Sequence, residues 1–258
     1  GIDPIEKYSN DAKMLHSALN DEDDPYYEPT NVRYQFYLAQ SYFDSQQWDN
    51  SVEAYQKRIE MGGWDEEIWF SYFRIAIIRS IQGKTWPEIK ESYLEAFNYR
   101  PTRAEPLYEI SRAYRSMEKP KLSFIYAKMG VEIQYPQNDI LFIAKDVYDW
   151  KMMDEFGSVA FYMGDFINGA NACKLLLEAN KFPESERARI TNNLKSYEVQ
   201  IREMQKHQME MQRQYQEALA VEEMKEKEQK RKEKEQKRIT PRKSTKTPSS
   251  KSGKKKRR

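Results

Sequence analysis

Cysteine is almost absent from this sequence of 258 residues: Cys173 stands alone, beside two histidines and nine glycines. A single cysteine excludes an internal disulfide framework and any cysteine-based zinc cluster. Cys173 sits in an apolar run and reads as a buried structural thiol. His16 and His207 are far apart, with no Cys or second His beside either, so neither reads as a metal ligand or triad member. The sequence has no glycine-rich phosphate loop and no nucleophile elbow. No catalytic residue, metal site or cofactor is therefore expected. No apolar run approaches the roughly 18 residues of a membrane span, and no signal peptide opens the sequence. A reducing, cytoplasmic compartment follows as the expectation. The sequence begins at Gly1 rather than Met, which suggests a piece of something longer.

What is present is unevenly spread. Residues 1–183 carry 20 Lys/Arg against 29 Asp/Glu, whereas residues 184–258 carry 23 against 12. A net charge of +2 thus hides an acidic body joined to a basic end. The final stretch, ITPRKSTKTPSSKSGKKKRR (239–258), has no acid and too little apolar surface to fold. Disorder is expected there. Its KKKRR, with PRK upstream, reads as a nuclear-import signal, a nucleic-acid arm or a membrane-surface anchor, with nonspecific attraction to an acidic partner as the plain reading.

The body is built on a repeat. Asn31 to Gly63 reads as a helix–turn–helix unit of the tetratricopeptide type, whose period is about 34 residues. Leu38, Ala39 and Tyr42 share one stripe; Trp48 follows a polar turn, and Val52, Tyr55 and Ile59 mark the second helix. A second unit runs from Asp65 to about Thr102, with Trp69, Phe73 and Ala76 and then Tyr93, Ala96 and Phe97. A third spans Ala104 to Pro136, with Leu107, Ile110, Ser111 and Tyr114, then Ser123, Ala127 and Gly130. QNDILFIAKDVYD (137–149) interrupts the period, as a crossing segment or short extra helix. A fourth unit covers about Trp150 to Pro183, with Met153, Phe156, Gly157, Ala160, Gly169, Cys173 and Leu176.

The expected fold is all-α: a solenoid of about four helix pairs over 31–183, preceded by a short helix and acidic loop (1–30). Residues 184–238 contain neither Pro nor Gly, and helix formers dominate. Ile190, Leu194, Tyr197, Ile201 and Met204 recur at helical spacing and mark a capping helix, which continues as a charged single helix or a coiled coil.

Candidate sites follow from this register. In a helix-pair solenoid, first-helix positions that point away from the core line the inner groove. These are Arg33, Phe36 and Gln40, then Glu67, Phe70 and Arg74, then Tyr108, Arg112 and Arg115, with Asp154 and Ser158 in the fourth unit. Arg74, Arg112 and Arg115 form a cationic stripe suited to a carboxylate, phosphate or anionic peptide terminus. The competing reading has these arginines bridging repeats through Glu105, Glu109 and Glu118. Asp21-Glu22-Asp23 matches the D-x-D pattern of metal–nucleotide sites, but no strand places it, and a solvated acidic loop is the expected reading.

Three stretches carry a resemblance. FYLAQSYFDSQQWDNSVEAYQKRIEMGGWDEEIW (36–69), EAFNYRPTRAEPLYEISRAYR (95–115) and YPQNDILFIAKDVYDWKMMDEF (135–156) are not general repeat consensus. They resemble the repeat region that follows the catalytic domain in a set of family 2 glycosyltransferases, bacterial and giant-virus-like, over about Glu6 to Phe182. DAKML (11–15) resembles the helix joining the two regions. The resemblance implies a role in glycan assembly, with a protein or glycan partner held in the groove. It supplies no catalytic residue, because the nucleotide-sugar domain of that set has no counterpart in these residues. The alternative is a free-standing adaptor that binds a peptide in the groove.

Overall fold

The structure is a computed structural model that describes residues 3–239. The expected basic tail from residue 240 onward lies outside the described residues. Ten α-helices follow one another, with no strand among the described residues. In order they are α1 (Pro4–Asn20), α2 (Val32–Asp44), α3 (Trp48–Glu60), α4 (Asp65–Ile81) and α5 (Trp86–Tyr99). Then come α6 (Glu105–Ser116), α7 (Pro120–Val131), α8 (Met152–Val159), α9 (Phe166–Ala179) and α10 (Arg187–Ile239). A π-helical turn, Val147–Lys151, leads into α8.

Local chemistry sets the ends of these helices. Asp3 accepts from the Ile5 amide and Pro4 opens the first turn of α1. Asn31 caps α2 through Arg33 and Tyr34. Glu88 reaches back to the Thr85 amide at 3.0 Å, the reciprocal half of a capping box on α5. After α3 the chain turns through Gly62 and Gly63, both at positive φ, which L side chains rarely adopt.

Each helix packs on its successor, α2 also reaches α4, and α6 also reaches α8. That is the helix-pair solenoid: α2/α3, α4/α5, α6/α7 and α8/α9. Small residues let paired helices cross closely. The Ser51 hydroxyl donates to the Ala39 carbonyl at 2.8 Å, and Ser111 meets Ser123 at 2.9 Å. Gly157 stands against Cys173, whose thiol donates weakly to the Gly157 carbonyl at 3.9 Å. The core between pairs holds Trp69, Tyr55, Phe36, Leu107 and Ile110, all fully buried. In α10, Ile190 and Tyr197 are buried and Leu194 and Ile201 pack beside them, closing the last pair.

Packing divides the chain into two units, the first ending at Ile201 and the second beginning at Arg202. In the second unit every side chain from 202 to 238 is exposed. Glu–Lys pairs one turn apart lace it, Glu226 with Lys230 at 3.2 Å and Glu228 with Lys232 at 2.8 Å.

The interruption expected over 137–149 combines both readings: 137–144 is a crossing segment, and from Lys145 the chain enters the helical turn that leads into α8. Residues 137–144 leave α7 and run back along the first-helix face to α4, where they meet the first two repeats. We call this segment the strap. Among the described residues no helix is long and apolar enough to cross a membrane.

Candidate functional site

The strap is held by buried charges. Glu66, on the first turn of α4, accepts from the Ile140 and Leu141 amides at 2.8 and 2.7 Å. Its carboxylate thus satisfies two backbone donors that the irregular strap leaves unpaired. Arg100 grips Asp139 through Nε at 2.9 Å, and this bond, ahead of the other charges, lowers the Asp139 pKa below its ordinary value. Arg103 is fully buried and lies 3.7 Å over the Trp69 ring. It donates to Glu105 at 2.7 Å and to the Phe142 carbonyl at 3.2 Å. Glu105 in turn accepts from the Tyr148 hydroxyl at 2.7 Å. Burial first, and then Glu105, raise the Tyr148 phenol well above its usual value, so it stays a donor. Every residue in this network lies within 36–69, 95–115 or 135–156.

Phe142 sits at the tip of the strap. Its φ of +44° is in the left-handed region, where a bulky residue is strained. The other non-glycine residues there, Gln46, Glu118 and Asn180, close helices α2, α6 and α9; Phe142 ends no helix. Its ring lies 4.7 Å from that of Phe70 and stays half exposed on the other side.

That exposed side forms one wall of a cleft of about 760 Å³. The α1 wall supplies Tyr8, Asp11, Met14 and Leu15, the acidic loop Asp24, Pro25 and Tyr26, and α2 Tyr34, Tyr37, Gln40 and Asp44. Tyr26 is 70% exposed and Met14 69%. Three carboxylates line the cleft and no Lys, Arg or His does. Asp24 is engaged, since hydrogen bonds from Ser17 and then from the Tyr26 amide lower its pKa. Burial raises the Asp44 pKa above its ordinary value, against the opposing charge of Arg74.

The expected groove residues are dispersed differently from the sequence reading. Phe36 and Phe70 are core, at 1% and 5% exposure, because the strap's Leu141 packs over the cluster that holds them. Arg33 bridges to buried Glu67, which also receives Arg58 at 2.8 Å, and stacks on Tyr37 and Trp64. Arg112 pairs with Glu109 at 2.7 Å. Arg115 pairs with Glu155 at 2.7 Å rather than with Glu118. Burial, and then Glu109 and Glu155, raise the half-buried Tyr108 phenol to about 12. Arg74 is held between Phe43 at 4.1 Å and Phe70 at 4.8 Å, with its Nε buried and unbonded. Asp154 is buried against Arg189 at 2.8 Å, which also reaches the Ser158 hydroxyl at 3.2 Å. Most of the cationic stripe is therefore matched by carboxylates. Gln40 alone of the expected set lies on the cleft.

The D-x-D loop turns inward upon itself: Asp21 accepts from the Asp23 amide at 3.1 Å. No three His, Cys, Asp or Glu residues converge in metal-binding geometry among the described residues. Tyr8 and Tyr26 of the cleft escape the repeat register because α1 and the acidic loop lie outside it, while Tyr34 and Tyr37 fall on the first repeat helix at positions that the register does not single out. The signal that marks the first two is Tyr26-Tyr27 beside Pro25, within reach of Tyr8 one helix back.

No family model matches the chain, and no curated protein matches it. Among solved structures it is similar to two crystal structures of MamA. The first has a TM-score of 0.46 at 14% identity, covering 70% of this chain and 96% of MamA. The second has 0.44 at 14%, covering 72% and 91%. At such scores function rests on the site alone.

Proposed function

We propose that the chain is a non-catalytic helical-repeat module that holds a partner protein in the strap-walled cleft between α1 and α2. One observation carries this reading: Met14, Tyr26, Tyr37 and Phe142, all large and exposed, converge on one concavity. Exposed apolar groups gathered in a cleft mark interaction sites, whereas scattered ones do not. Tyrosine supplies contact area with few torsions to freeze, which suits recognition. The strain at Phe142 supports the same reading, since strained backbone persists where the surroundings hold it for a purpose.

The finer proposal places this module in glycan assembly, beside a family 2 glycosyltransferase-type activity. Its support is that the stretches carrying the resemblance meet at the strap, which carries Phe142 to the cleft. There the module raises the local concentration of an acceptor or partner and does no chemistry. The reading frame upstream of residue 1 tests this context. An α/β pattern with a D-x-D motif supports it, and unrelated sequence leaves a free-standing adaptor.

Binding itself is tested by selecting a displayed random-peptide library on the full chain. Enrichment of a consensus that is lost on Tyr26→Ala supports the module. Enrichment of nothing, or of sequences indifferent to Tyr26, contradicts it.

A further inference from the structure

The ligand chemistry of the cleft is legible in its walls. We propose that it takes a peptide segment of a partner protein that carries Lys or Arg side chains among apolar ones. This rests on the binding reading above and adds the chemical class of the partner.

Charge complementarity carries the choice. The lining places Asp11 and Asp44 on opposite helices, α1 and α2, with Asp24 on the loop between. Among the described residues neither the Asp11 nor the Asp44 carboxylate makes a side-chain hydrogen bond or a direct ion pair, although the charge of Arg74 acts on Asp44. Covering them with an apolar partner would strip water from two carboxylates and return nothing. A cationic side chain returns a charge-assisted hydrogen bond instead. The same side chain finds aromatic neighbours there, because Tyr8, Tyr26, Tyr34 and Tyr37 line the same cleft as those carboxylates. Cations over tyrosine rings are attracted by the ring quadrupole, by roughly 0.5–2 kcal/mol depending on desolvation.

The protein already makes that contact nearby. The Arg33 guanidinium lies 5.0 Å from the Tyr37 ring, and the Lys7 ammonium 5.0 Å from the Tyr8 ring. Arg33 thus sits against a lining tyrosine, and Lys7 and Arg74 are two further cations close to the lining residues Tyr8 and Asp44. Lys7 is exposed beside the cleft, and Arg74 is sandwiched between Phe43 and Phe70. Neither lines the cavity. The apolar part of the partner follows from the walls: Met14, Leu15, Pro25 and Phe142 offer apolar contact in the same cleft.

The test is calorimetric, on the full chain. A short peptide alternating lysine with leucine is compared with its glutamine and glutamate counterparts. The lysine peptide is expected to bind, the glutamate peptide not to, and added salt to weaken the complex. Asp11→Asn with Asp44→Asn is expected to weaken it roughly tenfold, while Arg112→Ala leaves it unchanged. Both aspartates are at least partly exposed and the substitutions keep their shape, so an unchanged melting temperature verifies the fold. Equal binding of lysine and glutamine peptides, or no weakening in the double variant, overturns the cationic class and leaves a binding module standing. No peptide binding, with a library consensus that is not basic, does the same. No peptide binding and no library enrichment overturns both.

Discussion

The Glu66 carboxylate accepts a hydrogen bond from the Leu141 amide at 2.7 Å, across 75 residues of sequence. A second bond from Ile140 joins the same oxygen. One side chain at the start of α4 thus fixes the strap that carries Phe142 to the cleft.

Glu66→Ala is expected to loosen the strap at Ile140 and Leu141 without unfolding the repeats, while Arg100 and Arg103 still hold Asp139 and the Phe142 carbonyl. It removes the charged acceptor of two amides, a loss of about 1.5–3 kcal/mol per such bond. Hydrogen exchange reads this directly. The amides of Ile140 and Leu141 should exchange far faster, and unchanged exchange there would show that Glu66 does not hold the strap.

Arg103 and Arg112 should separate buried from exposed pairing. Arg103 has no exposed side-chain surface and lies between Glu105 and Asp139. Arg103→Met leaves both carboxylates buried with less compensation, at a cost of about 3–5 kcal/mol. Arg112→Ala breaks a half-exposed pair with Glu109 and should cost at most about 1 kcal/mol. Urea unfolding of the two variants checks the contrast, and similar midpoints would contradict it.

Two glycines in tight places should behave differently. A Cβ on Gly169 would fall 2.3 Å from the Tyr197 ring, which is rigid and anchored by its hydroxyl to the Gly157 carbonyl at 3.0 Å. Gly169→Ala should cost about 1–3 kcal/mol and loosen residues 187–201 of α10. A Cβ on Gly130 would fall 2.2 Å from the Met152 methyl, the far end of a flexible side chain. Gly130→Ala should be much milder. Thermal melts rank the two, and a reversed order would refute this account of the packing.

Acid should act on the strap through Asp139. Its hydrogen bond from Arg100, then the charges of Arg100 and Arg103, lower its folded pKa below the unfolded value. The stabilisation is therefore complete above the unfolded pKa of about 3.9 and is lost as pH falls below it, through the folded pKa. Arg100→Ala should flatten that acid limb. An unaltered limb in the stability–pH profile would assign acid sensitivity elsewhere.

Much of this fold is legible in the sequence because small and large residues recur at helical spacing. Ala39, Ser111 and Gly157 fall at crossings, and Trp69 and Leu107 fill the space between pairs. The site is less legible. First-helix positions such as Phe36 and Phe70 point to the groove face by register, yet periodicity says nothing of a segment that returns to cover them. Asp139 and Phe142 belong to no repeat, and their partners lie far away in sequence. The arginine stripe misleads for a similar reason. Glu155, which pairs with Arg115, comes from the next repeat rather than the same helix.

The most direct measurement is peptide binding by Phe142→Gly, using the library-selected peptides and the lysine–leucine peptide. Glycine accepts φ of +44° without strain, so the substitution removes the ring while relieving the backbone. The account predicts a folded chain, with a melting temperature near that of the parent, that no longer binds. Undiminished binding by a folded Phe142→Gly chain would contradict it, because the strap would then hold its strained residue in place for something other than the cleft.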